Sequence, residues 1–461
     1  MLIFGVLFSI CLIASLALYA GTQAKTQKKM GAGLVTGVML GTIIGGASTV
    51  GTAQLAFTYG VCAWWFTIGC GIATLILAFI FVSPFRKGNG KTLIGMISSE
   101  YGQHVGVTAS VLNSFGTFIN VLSQLIAATS VIAVVWPELN LTVSLIGSAL
   151  LMIIYVVFGG TRGAGIVGLL KMTLMCVSML SCGAIVLYLC DGLGGFISMV
   201  NTIETPNGEQ FLNFFARGLS TDLGACFSLL VGIVTTQIYC QAITTADSNQ
   251  SARRGIILSS LLIPIIGAGG ILVGLYMRAH YPEILAKTAL TQFVSLHMPD
   301  LLGGIVLGTL FIAVVGSGAC LSLGIATILQ KDLMGPKLQK LLKIKSSNTS
   351  MQVILVAVLS TAALCCVVLE SDMILNFAFL SMALRGSVVL APLLGALWFK
   401  GKISGCYALA ASIVGPSIMI GLKLYGFQWV DPLFIAIMGT FLLMAIGYIR
   451  QKKTEKSLRN C

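Results

Sequence analysis

Apolar residues run along this chain in blocks long enough to cross a bilayer, separated by short polar and often basic turns. A membrane-spanning helix needs about 17–25 mostly apolar residues. That rule places thirteen spans, near 1–21, 33–58, 61–83, 106–134, 138–159, 164–190, 222–245, 255–278, 303–330, 351–369, 373–398, 404–424 and 428–449. The first block has neither a basic leading region nor a small-residue cleavage site, so it is read as a helix. The second is interrupted. In GTIIGGASTVGTAQLAFTYG, residues 41–60, glycine and hydroxyl residues crowd the middle of a span. Lipid cannot satisfy loose backbone groups, so such a stretch either packs tightly through small residues or lines a polar cavity. Discontinuous helices of the second kind hold solutes and ions near the midplane of secondary transporters.

Composition agrees with the pattern. Of 461 residues, 57% are hydrophobic and 9% charged, a balance that fits a polytopic membrane protein and no soluble core. The net charge of +13 does not indicate nucleic acid, because the basic residues are scattered through short loops. Lys25, Lys28, Lys29, Arg86, Lys87, Lys91, Arg162, Arg253, Arg254, Lys331, Lys337, Lys340, Lys343, Lys345, Lys400, Lys402 and the tail from Arg450 to Arg459 fall in every second loop. The opposite loops hold only Arg217, Arg278, Lys287 and Lys423. The positive-inside rule then puts the N-terminus outside and the C-terminus in the cytoplasm. The thirteen cysteines show no metal-ligand spacing and mostly lie in apolar blocks, and the three histidines fall near loops. No nucleophile–base constellation appears, so the reading is of no enzyme, no cofactor, and a single membrane domain over 1–461. No obligate protein partner is evident.

Three further stretches behave like the first. YVVFGGTR, Tyr155–Arg162, ends a span on a glycine pair; QIYCQAITTADSNQSARR, 237–254, leaves the seventh span; and AVVGSGACLSLGIATILQKD, 313–332, puts small and hydroxyl residues mid-membrane. With residues 41–60 and Ala391-Pro392 to Trp398, in this order and spacing, the chain resembles the sodium:solute symporter family over roughly residues 1–440. The resemblance implies an all-α, LeuT-type core of two inverted five-helix repeats, 33–190 and 222–398. An extra helix at 1–21 precedes the core and two C-terminal helices, 404–449, follow it. Spans 2 and 7 would be broken and face each other across a central site. Candidate solute contacts are Gly45, Gly46, Ser48, Thr49, Thr67, Thr236, Gln237, Gln241 and Arg385. The alternative for the buried Thr and Gln residues is hydrogen bonding between helices.

The resemblance also implies a sodium ion bound by the carbonyls of Gly41, Ile44 and Ala313 and the hydroxyl of Ser317, oxygen ligands of the kind a hard cation prefers. The neighbouring hydroxyl common in the family is here Gly316. Where the family places an aspartate and, three residues on, a glutamine, this chain has Gly168 and Lys171. In some relatives of this fold a lysine amine takes the sodium position and the transporter runs on protons. Lys171 either does this or snorkels, lying roughly 10 Å from its helix end at about 1.5 Å per residue. Arg385 falls near the middle of span 11, beyond snorkelling reach and with no carboxylate expected at its depth. It either caps carbonyls at a helix break or meets the carboxylate of an anionic or zwitterionic solute.

The sequence therefore reads as a cation-coupled importer of a small polar, carboxylate-bearing solute, multi-pass in the cell's inner (plasma) membrane. Sodium is the default coupling ion, and proton coupling through Lys171 the alternative. A membrane solute sensor on the same fold is the rival from another class. A passive channel is a third reading, without a charge ring to support it.

Overall fold

The computed structural model describes residues 3–8, 11, 15, 29–88, 91–203, 210–334, 347–369, 374–427 and 429–459, with no side-chain description at 156–167, 334, 347–350, 368–369 and 454–459. Most of the first expected span, 1–21, lies outside these residues. The helices are α1 (Ala32–Ile43), α2 (Thr52–Tyr59), α3 (Trp64–Ile76), α4 (Val82–Lys87), α5 (Leu93–Tyr101), α6 (Gln103–Val135), α7 (Leu141–Leu189), α8 (Leu193–Val200) and α9 (Leu219–Val234). They continue with α10 (Gln237–Thr245), α11 (Asn249–His280), α12 (Ala289–His297), α13 (Asp300–Ile328), α14 (Ser347–Leu369), α15 (Ile374–Trp398), α16 (Gly405–Leu424) and α17 (Pro432–Arg459).

Among the described residues, eight helical segments are long and apolar enough to cross a membrane, and the bent pair α9–α10 makes nine. The expected spans 138–159 and 351–369 appear there as shorter apolar helices, Leu141–Tyr155 and Met351–Val367. The turn expected at Gly159-Gly160 is instead helical, so two spans share the backbone run of α7. The tail, expected as a solvated end, continues α17 to Arg459.

Two spans are broken, and both breaks follow from local sequence. The second span stops at Ile43, runs extended through Ile44 and resumes as a π-helical turn at Ala47–Gly51. The backbone amides freed there find side chains: Gly45 N–H donates to Ser48 Oγ at 3.0 Å and Gly46 N–H to Gln124 Oε1 at 2.8 Å. In lipid each would otherwise cost several kcal/mol. The seventh span bends by 47° between α9 and α10. There Thr235 and Thr236 turn their hydroxyls back onto the carbonyls of Val231 and Gly232, at 2.8 and 2.7 Å, a pattern that competes with the helix ladder.

Small residues decide how closely the broken spans are held. A Cβ on Gly168 of α7 would lie 2.0 Å from the carbonyl oxygen of Gly37 on α1, so these two backbones touch. Gly255 of α11 approaches Ala32 in the same way, and Thr36 donates to the Gly255 carbonyl at 3.0 Å. Without a hydrophobic drive between helices in lipid, such close packing is what fixes their register. The 191–221 connection, expected as extended or partly helical cover, carries α8 and docks on the α2–α3 corner. Gly60, at φ +86°, admits the Phe211 backbone, and Val61 N–H donates to the Phe211 carbonyl at 2.8 Å.

Candidate solute and cation site

The contact of Gly168 with Gly37 sets the register of what lies one turn further along. Lys171, fully buried, reaches from α7 to the end of α1, where its Nζ donates to the Gly41 carbonyl at 2.6 Å and to Ser317 Oγ at 2.9 Å. The Ser317 hydroxyl in turn lies 3.1 Å from the Gly41 carbonyl and 2.9 Å from that of Ile44. Two of the four oxygen donors expected for sodium, Gly41 and Ser317, thus meet the Lys171 amine, and the third, the Ile44 carbonyl, accepts from Ser317. Ala313, the fourth, is buried one turn earlier in α13. Gly316 lies beside them, and a Cβ there would stand 3.5 Å from Lys171 Nζ. The missing hydroxyl and the missing aspartate have one consequence. Gly168 could not carry an acidic side chain without parting α1 from α7, and the side-chain nitrogen of Lys171 fills the cluster. The reading of Lys171 as a snorkelling side chain does not hold, because its nitrogen points inward and is buried.

The second buried cation lies between the breaks. Arg385, on α15 and 0% exposed, donates to Thr236 Oγ1 at 2.7 Å, to the sulfur of Met382 at 2.9 Å and to the Ser381 carbonyl at 3.3 Å. Among the described residues no carboxylate pairs with it. It faces a small cavity of about 20 Å³, room for about one water. Asn120, Gln124, Tyr239, Phe66 and Cys70 share that lining with Thr236 and Arg385.

Only Thr236 and Arg385 of the nine expected solute contacts reach this cavity. Gly45 and Gly46 form the break itself. Ser48 and Thr49 fold their hydroxyls onto the Gly45 carbonyl, at 3.2 and 2.7 Å. Thr67 packs against Gly267 of α11, where a Cβ would lie 2.1 Å from its hydroxyl. Gln237 turns toward α5 and accepts from Leu93 N–H at 2.9 Å, and Gln241 is half-buried on α10 outside the lining. Asn120 and Gln124 escaped the sequence reading, although two amides one turn apart inside an apolar span were a usable signal. Gln124 both braces the first break and lines the cavity.

A wider cavity of about 350 Å³ opens beyond this one, bounded by Arg217, Asn376, Lys423 and Asp431. Phe66 and Phe379 stand between the two, edge to face at 5.5 Å, with the Arg217 guanidinium over the Phe379 ring at 5.5 Å.

Comparison with known proteins places this geometry. A model of the sodium:solute symporter family matches residues 26–415. An uncharacterized symporter of Bacillus subtilis (strain 168), YwcA, is 30% identical over 206 residues, 42% of this chain; the match spans 39% of that protein's length. A solved substrate-bound, outward-open Na+-coupled sialic acid symporter superposes with TM-score 0.74 at 17% identity, covering 98% of each chain. Mhp1, a nucleobase-cation-symport-1 family transporter in a closed conformation, gives 0.61 at 13% identity over 93% of this chain and 94% of its own. MhsT in complex with L-phenylalanine gives 0.56 at 13%, over 91% and 100%. The fold is the LeuT type. The chain therefore belongs to the sodium:solute symporter family: it is a multi-pass membrane transporter, not an enzyme, and membership implies sodium as its coupling ion and a solute as its cargo.

Proposed function

We propose that this transporter imports a small carboxylate-bearing solute across the cell's inner (plasma) membrane, and that Lys171, in place of a sodium ion, carries the charge at the cation site. The two repeats, 33–190 and 222–398, would alternate access around that site. The observation that carries this reading is the ammonium bonded to Gly41 and Ser317. A sodium ion needs the same oxygens, and two unit charges about 4 Å apart repel by roughly 4 kcal/mol at an effective dielectric constant near 20. Protonation of Lys171 then does what sodium binding does elsewhere: it ties the unwound part of the second span to α13. The solute supplies the anion that Arg385 lacks. A guanidinium with no carboxylate partner among the described residues, facing a cavity between two broken helices, suits bidentate carboxylate binding.

Family membership favours a second reading, in which sodium displaces Lys171 and binds Gly41, Ile44 and Ser317. Proteoliposomes separate the two. A carboxylate ligand is first identified by thermal shift, and its uptake is then driven by an imposed pH gradient or an imposed sodium gradient. The expected outcome is accumulation with the pH gradient in sodium-free buffer, and loss of that response in Lys171→Ala while solute exchange persists. Accumulation that follows only the sodium gradient would overturn the lysine reading.

A further inference from the structure

We propose that the lysine-rich end of α15 holds the phosphate headgroup of an anionic phospholipid. A cavity of about 310 Å³ opens here between the α4–α5 connection and the last turn of α15, far along the chain from one another. Lys87, Lys91 and Lys400 all line it, together with Ser99 and Trp398. Among the described residues none of these three lysines is ion-paired. One acidic side chain, Glu100, shares the lining, and its carboxylate already accepts the backbone N–H of Gly401. The cavity therefore carries two positive charges in excess. The neighbouring Arg86 does not line this cavity, and its guanidinium donates to the carbonyls of Ile243 and Ala246.

Lysines are expected throughout this face of the protein; three of them around one cavity are not explained by topology alone. Their surroundings identify the anion as a lipid. Trp398 and Phe399, 44% and 45% exposed, close the apolar run of α15 beside Lys400, where aromatic side chains mark the bilayer interface. A second, mostly apolar groove of about 300 Å³, lined by Leu394, Phe399, Phe441, Met444, Tyr448 and Ile449, flanks the same helix end and provides a place for an acyl chain. Basic pockets between membrane helices on the cytoplasmic side bind anionic headgroups in this manner. A headgroup held here would touch both the lysines of the α4–α5 region and the end of α15.

The test uses the purified full chain in a neutral detergent, titrated with dioleoyl-phosphatidylglycerol, dioleoyl-phosphatidylcholine or inorganic phosphate while thermal unfolding is followed. Phosphatidylglycerol should raise the unfolding temperature, and the other two should not. Each of Lys87→Gln, Lys91→Gln and Lys400→Gln should raise the half-saturating phosphatidylglycerol concentration roughly fivefold, and the triple variant by on the order of a hundredfold. Lys452→Gln with Lys453→Gln, on the tail of the same face, should leave it unchanged. Should the triple variant fail to fold, the single substitutions carry the same test. The proposal is overturned if the lysine variants keep the wild-type titration, if the tail variant loses it equally, or if phosphate or phosphatidylcholine stabilises as well as phosphatidylglycerol.

Discussion

Arg385 and Lys171 are two buried cations with different fates. Lys171 is satisfied within the protein, by a carbonyl and a hydroxyl within 2.9 Å. Arg385 has a hydroxyl, a sulfur and a distant carbonyl, none of which carries charge. An intramembrane charge is costly and marks a site where a partner arrives. Lysine at 385 would keep the charge but lose the planar fork, so Arg385→Lys should weaken solute binding roughly tenfold or more, about 1.4 kcal/mol. Arg385→Gln should abolish binding in a calorimetric titration while the protein still purifies as a folded monodisperse species. A neutral best ligand, or normal binding by Arg385→Gln, would remove the carboxylate assignment. Arg385 could be picked out of the sequence by its depth, and Lys171 by its departure from the pattern of the family the chain resembles. Their partners could not, because Thr236, Gly41 and Ser317 stand 149, 130 and 146 residues away from the cations they meet.

At the scale of elements, the cation site is a product of helix approach. Gly168 and Gly37 let α7 and α1 touch, and this contact delivers Lys171 to Gly41 one turn on. Gly168→Ala should therefore act twice. It should lower stability by roughly 1–3 kcal/mol through overpacking, and it should impair coupling by drawing the ammonium away from its carbonyl. Gly147→Ala, elsewhere on α7 with open space around it, should do neither. Equal thermal melts for the two variants would show that the close approach is not what holds the register. The first break was legible from glycine and hydroxyl residues in mid-span, and the second was implied by the resemblance, with Thr235, Thr236 and Gln237 in agreement. Which side chains face the gap was not legible. A hydroxyl at a break can either face the cavity or fold onto its own helix, and Ser48 and Thr49 take the second course.

At the scale of the whole molecule, the C-terminal helices complete the outer cavity. Asp431, just ahead of α17, caps that helix by accepting from Leu433 N–H at 2.8 Å, and its own N–H donates to Ser220 Oγ at 2.7 Å. Its carboxylate lies against Gly224, which has no Cβ to exclude it. Burial pushes this carboxyl above the usual range, more than Leu433 N–H, Lys423 and Arg217 pull it down. A raised native pKa means that the protonated acid favours folding, an advantage lost as pH rises through that value. Asp431→Asn keeps the cap and removes the charge. It should melt higher than wild type near pH 7, with the difference shrinking as pH falls below the ordinary carboxylate range; a lower melt at neutral pH would contradict the assignment. By itself the sequence determined the membrane class and the break in the second span, since apolar length and mid-span glycine are local quantities; the LeuT-type fold and the break in the seventh span came from its resemblance to a family. It also marked Lys171 and Arg385 as out of place. Only the tertiary structure decided that Lys171 turns inward onto the sodium donors, that Gln124 braces the first break, and that most of the expected polar residues face away from the cavity. Those outcomes depend on how closely helices distant in sequence approach, as at Gly168, where a Cβ would meet the Gly37 backbone.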